Sequence, residues 1–102
     1  MEIKIFNNAV EKFIQTLNKE TIARVVHVIN LLEKFGNKLG LPHSKMVSRG
    51  IFELRIHGNQ NIRIFYTFSG NKAVLLHGFI KKTSKIPGKE IDLAIKRLNS
   101  LE

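Results

Sequence analysis

The sequence contains no cysteine and no tryptophan. Without cysteine there is no disulfide and no thiolate ligand, so packing alone must hold the fold, and zinc sites of the cysteine type are excluded. The lack of thiols also suits a reducing compartment. Met1 runs straight into the charged Glu2 rather than into a basic and then apolar leader. No apolar run nears the roughly 20 residues that a membrane-spanning helix needs. A cytoplasmic protein with no membrane role is therefore expected. Proline is rare, at Pro42 and Pro87 only, and no repeat, low-complexity stretch or linker interrupts the chain. At 102 residues it makes a single domain, 1–102, with a large surface for its volume and a modest margin of stability.

Acids are the other scarcity. Eight Asp and Glu stand against seventeen Lys and Arg, a formal charge of +9. The excess is unevenly placed. Residues 1–40 carry a net +2, whereas residues 41–89 hold nine basic side chains and one acid, Glu53, for a net +8. Such a field draws polyanions, so a nucleic acid or an acidic protein partner is expected, with plain solubility as the alternative.

What is present reads as α+β. Residues 2–6 alternate like a strand. Asn7 or Asn8 can cap a helix with Val10, Phe13, Ile14 and Leu17 at helical spacing. After a break at Asn18-Lys19, a second helix carries Ile22, Val25, Val26, Ile29 and Leu32. Val28, Leu31 and Phe35 widen that stripe and predict burial on more than one side. Gly36 and Gly40 end this helix before Pro42. Residues 51–57, 61–68 and 73–81 are rich in β-branched and aromatic residues, with turns at 58–60 and 69–71, and predict an antiparallel meander. Pro87 then precedes a last helix with Ile91, Ala94, Ile95, Leu98 and Leu101, its start loosely held because Ile86 is a poor cap. The expected architecture is an N-terminal strand, a helical hairpin, an antiparallel sheet of three to four strands and a C-terminal helix.

Alternation along strands sorts the side chains by face. Phe52, Leu54, Ile56, Ile62, Ile64, Tyr66 and Phe68 form an apolar set for the helices. Along 73–81, Val74, Leu76 and Ile80 are expected to oppose Leu75, His77, Phe79 and Lys81. The second face thus gathers Arg55, Arg63, His77 and Lys81, interleaved with Phe65 and Phe79. Cations hold phosphates and rings stack on bases, which is what single-stranded nucleic acid requires. The alternatives are a solvated surface for the cations and a small second core, under a loop or the last helix, for the two rings.

The chemistry open to such a face is limited. His27, His43, His57 and His77 lack metal-ligand spacing, and no glycine-rich loop leads into a helix, so neither a metal nor a nucleotide cofactor is expected. RNA brings its own nucleophile, the 2′-hydroxyl. Cleavage then needs cations to stabilise the crowded phosphorane, together with a general base and acid. Arg55, Arg63 and Lys81 are the candidate clamp. His77 is the natural proton-transfer group and His57 a second candidate. Lys45, Arg49, Lys82 and Lys85, with His57, Phe65 and Phe79, are the expected RNA contacts, Lys82 turning to the opposite side if the strand continues.

The run Phe52-Glu53-Leu54-Arg55, followed by Ile62-Arg63-Ile64-Phe65-Tyr66, resembles the central hairpin of RelE-superfamily toxins. The segment LLHGFIKKT (75–83), with Pro87 and the Glu90-Ile91 helix start, resembles the phage-derived HigB-like branch. The likeness covers nearly the whole chain. It implies a ribosome-associated mRNA endonuclease that halts translation and is neutralised by a cognate antitoxin protein. It also implies phosphate binding and catalysis by Arg63, Lys81 and Lys82, with Arg55 as the arginine of the hairpin motif. Tyr66 matches the motif's tyrosine but lies on the core-facing set. Two other functions fit the same composition: a ParE-like toxin that acts on DNA gyrase and cleaves nothing, and a noncatalytic nucleic-acid-binding module.

Overall fold

The computed structural model describes residues 1–101. The first two helices each begin on an asparagine. Asn7 accepts hydrogen bonds from the backbone N–H groups of Ala9 and Val10 at 3.1 and 3.4 Å, heading α1 (Asn8–Gln15). Asn18 accepts from Thr21 N–H at 2.9 Å, heading α2 (Lys19–Phe35). α2 stops at Gly36, whose φ of 56° suits glycine and few other residues. A short 3-10 turn, Gly36–Lys38, follows.

The strands are β1 (Glu2–Ile5), β2 (Ser44–Ser48), β3 (Ile51–Ile56), β4 (Ile62–Ser69) and β5 (Lys72–Ile80), and α3 spans Gly88–Asn99. They form one sheet in the order β1-β5-β4-β3-β2. The α+β expectation holds, with two differences in the sheet. β1 lies parallel to β5, pairing Glu2 with Lys72 through Ile5 with Leu75, so the sheet is mixed. The fifth strand, β2, pairs antiparallel with β3 at the edge. Its sequence, SKMVS, gives no alternation because Lys45 and Met46 are both exposed, as an edge position allows.

Helices cover both faces. On one, Val10, Leu17, Val25, Val28 and Leu32 pack against Leu54, Ile56, Ile62, Ile64, Tyr66 and Leu75. Tyr66 faces this core, as its place in the alternation predicts, and its hydroxyl bonds that of Ser44 on β2. On the other face, Ala94 of α3 meets Ile51, Phe65, Val74, Leu76 and Phe79, with Ile91 and Leu98 alongside. β4, in the middle, therefore has six consecutive buried residues, Ile62 to Thr67. α2 buries one stripe only: Val26 and Phe35 stay exposed, against the expectation of a helix buried on several sides. Val26 points about 120° away from the buried stripe of Thr21, Val25, Val28 and Leu32. α3 has no side-chain cap at Pro87, as expected from Ile86.

One irregularity decides what β5 presents. Phe65 pairs with His77 and Tyr66 with Leu75, leaving Leu76 as the extra residue of a β-bulge. The bulge resets the alternation. Val74, Leu76 and Phe79 all lie on the α3 side, while Ala73, Leu75 and Ile80 lie on the other. The alternation expected from sequence, with Leu76 opposite His77 and Phe79, fails for this reason.

Candidate functional site

The basic residues converge where β3 and β5 end and β4 begins. Arg55 on β3 stands directly across from Arg63 on β4, which in turn pairs with Phe79 on β5. Two like charges opposite each other repel. Glu53, one row away on the same face, offsets this: its Oε1 lies 3.3 Å from Arg63 Nε and its Oε2 3.5 Å from Arg55 Nε. Glu53 and Arg63 are each only 4% exposed, whereas the Arg55 side chain is 31% exposed. Arg63 also donates to the carbonyl of Ile62 at 3.3 Å. Burial pushes the Arg63 guanidinium below the usual arginine range, with the Glu53 carboxylate opposing and Arg55 adding to the drop. Neither Nε nor Glu53 Oε1 has an aligned hydrogen bond, so charge more than directed bonding holds this cluster together.

The row containing Phe65 brings in His77. Its Nε2 lies 3.0 Å from Oε1 of Glu90, in the first turn of α3. The imidazole lies nearly parallel to the Phe79 ring, 5.8 Å and 19° apart, and both partners of the dyad are mostly buried. When the imidazole is neutral, Nε2 carries the proton toward the carboxylate and Nδ1 is left as an acceptor. A carboxylate that fixes the tautomer in this way is how histidine is prepared for proton transfer. Arg97, at the other end of α3, donates to the carbonyl of Leu76 at 2.6 Å. Helix and bulge are thus fastened on both sides of His77.

Glu90 also lines an open cleft of about 440 Å³. Its walls are Phe13, Gly78, Phe79 and Ile80 below, with Lys82, Thr83 and Lys89 at the rim. The floor exists because Gly78 has no side chain: a Cβ there would stand 2.8 Å from the Phe13 ring.

A family model for phage derived protein Gp49-like (DUF891) matches residues 12–99. The chain belongs to the Gp49-like family. This is a RelE/toxin-like family. No curated protein matches the chain. No helix among the described residues of this Gp49-like protein is long and apolar enough to cross a membrane.

The structure of this Gp49-like chain gathers some of the expected site residues and separates others. Arg55, Arg63 and His77 share the α3-side face, as expected, but α3 covers that face. Phe65 is fully buried and Phe79 is 6% exposed, so neither offers an open ring for a base to stack on; both serve the second core, and Phe79 adds a wall to the cleft. Lys81 is engaged by the loop that follows it. Its Nζ donates to the carbonyls of Thr83 and Ser84 at 2.9 and 3.2 Å and ties down the loop after β5. Lys82 is exposed at the cleft rim, and Lys85 is exposed in the same loop. Lys45 pairs across from Glu53 at the sheet edge, and His57 is exposed just past β3. Arg49 is not part of the gathering. It precedes β3, at the opposite end from His57, about 25 Å away at roughly 3.3 Å per residue. Glu90, Lys89 and Arg97 were not among the site residues expected from the sequence, Glu90 entering only as part of a helix start. Glu90 and Arg97 share a helix face with buried Ala94, at spacings of four and three, so charged residues flanking a buried alanine were the available signal.

Proposed function

We propose that this protein is the toxin of a toxin–antitoxin pair in the HigB-like branch, a metal-independent endonuclease acting on mRNA at the ribosome. The observation that carries the reading is the His77–Glu90 pair, whose Glu90 lines a cation-rimmed cleft. RNA cleavage through its own 2′-hydroxyl needs no other nucleophile. His77 Nδ1 takes the 2′-hydroxyl proton as the 2′-oxygen bonds to phosphorus. The bond from phosphorus to the 5′-oxygen then breaks, giving a 2′,3′-cyclic phosphate and, once that oxygen takes a proton, a free 5′-hydroxyl. Lys82 or Lys89 at the cleft rim can supply this proton, and their charges, with that of Arg55, favour the crowded phosphorane. Arg63 acts from behind, as a buried positive charge that positions Arg55 through Glu53.

The toxin reading also supposes an acidic antitoxin segment that folds over the net +8 of residues 41–89. Toxicity that disappears when the neighbouring gene is coexpressed supports this. Toxicity unaffected by it counts against the pairing.

Primer extension on mRNA from cells expressing wild type or His77→Gln tests the nuclease directly. Sharp cuts in translated regions, with 5′-hydroxyl ends and absent in the variant, are expected. Growth arrest over an intact message would replace the reading with a ParE-like toxin acting on gyrase. Salt-sensitive RNA binding with neither cuts nor arrest would leave a noncatalytic binding module.

A further inference from the structure

A second set of nitrogen donors lies outside the cleft and shares only Arg55 with the chemistry above. A second pocket, of about 200 Å³, lies between α2 and the end of β3. Arg24 and His27 reach it from α2, three residues apart and so on one helix face; His43 comes from the loop before β2, and Arg55 and His57 from the end of β3. Val28, Pro42 and Ile56 complete the lining, and no carboxylate belongs to it. Among the described residues, no carboxylate lies within 4.0 Å of Arg24, His27, His43 or His57, while Glu53 holds Arg55 by its Nε. The nearest acid along α2, Glu20, is bonded to Asn59 instead, at 3.4 Å. The turn after β3 accommodates Arg24: a Cβ on Gly58 would stand 3.0 Å from Arg24 Nε and 3.1 Å from its Cδ. The stem of Arg24 therefore lies against a position kept clear of any side chain.

We infer that this pocket is a phosphate-binding site that takes a backbone phosphate of the same RNA strand, away from the scissile bond. Two guanidinium groups offer paired N–H donors suited to phosphate oxygens, and three imidazoles add donors around them. The same charges disfavour a metal cation, and no group of three or more His, Asp or Glu among the described residues is placed to hold one. The pocket lies at the end of β3 on the α2 side, and His77 lies on β5, two strands across the sheet, on the α3 side. That the occupant is RNA rests on the reading above; that it is a phosphate does not.

The two parts separate experimentally. Inorganic phosphate is titrated into the full-length protein while the imidazole signals of the four histidines are followed by NMR. Binding of a fully 2′-O-methylated RNA, which lacks the nucleophile and stays intact, is measured against salt for wild type, Arg24→Gln and Arg24→Glu. Phosphate should move the signals of His27, His43 and His57. Arg24→Gln should weaken RNA binding several-fold and lower the salt slope by about 1, with Arg24→Glu weaker still. Arg24 is exposed, so both variants should keep the fold, checked by the unshifted signal of His77. If those three signals stay still in phosphate, the site is overturned. If they move but the salt slope is unchanged in both variants, the backbone assignment is overturned and a small phosphorylated ligand takes its place. If both expectations hold and the wild type cuts no RNA, the pocket stands and the nuclease reading falls.

Discussion

Replacing Glu53 by alanine should be among the most damaging single changes available to this protein. Glu53 is the only carboxylate within 4.0 Å of either Arg55 or Arg63 among the described residues, and it sits 4% exposed between them. Removing it leaves Arg63 enclosed, charged and facing Arg55 across the strand pair. Breaking a buried pair from one side costs about 3–5 kcal/mol. The share lost at Arg55 is smaller, because that side chain is 31% exposed and water can replace the carboxylate. A domain of this size has about 5–15 kcal/mol in total, so a large part of its stability would go, with a fall in Tm on the order of 15–30 °C. Urea unfolding of wild type, Glu53→Ala, Arg63→Met and Glu53→Leu with Arg63→Met measures this. The double variant should recover most of the loss, since apolar groups replacing both partners leave no stranded charge. If Glu53→Ala cost less than about 1 kcal/mol, Arg63 would have to reach water in solution. The enclosed arginine, and its role behind Arg55, would then be wrong. The same logic makes Arg63→Ala a poor probe of catalysis, because lost activity would be confounded with lost fold.

Other consequences can be checked on the same material. Gly78→Ala drives a Cβ to 2.8 Å from the Phe13 ring, so α1 must shift; a loss of about 1–3 kcal/mol in urea unfolding is expected. Arg97→Met removes a charged donor from the bulge carbonyl of Leu76 and should cost about 1.5–3 kcal/mol, with the His77 NMR signal displaced. Burial holds the Tyr66 hydroxyl above the ordinary tyrosine range, with the Ser44 bond opposing. Its stabilising contribution is therefore complete below the unfolded value of about 10 and is lost as pH rises from there through the higher folded value. Stability curves of wild type and Tyr66→Phe should converge above about pH 10; parallel curves would show that Tyr66 ionises freely in the fold.

Much of the fold was legible in the sequence because local signals agreed with it. Asn7 caps α1, Gly36 ends α2, and β3 and β4 alternate cleanly, so Tyr66 and Arg63 could be assigned to opposite faces. The mixed sheet was not legible. β1 joins β5 across nearly seventy residues, and no local pattern records so distant a pairing. β2 was hidden because an edge strand with two exposed neighbours shows no period. The candidate site was legible in kind and only partly in place. Arg55, Arg63 and His77 do share a face, but α3 closes over it, and Phe65 and Phe79 spend their area on Ala94 instead of on a ligand. The tie between Lys81 and the loop carbonyls depends on a backbone path that composition does not specify.

The extra residue at Leu76 gives β5 a counting function. A strand with strict alternation is a two-state ruler, and one residue more or less swaps everything downstream from one side to the other. Deleting Leu76 would leave Leu75 opposite Tyr66 and His77 opposite Phe65 in a regular ladder, so His77 and Phe79 would keep the α3 side and only the Leu76 side chain beneath α3 would be lost. The distance from the bulge to the end of β5 is in this sense part of the site, as much as the identity of any side chain on it. One residue inserted between His77 and Gly78 should therefore damage packing and proton transfer together, even though every residue lining the cleft is still present.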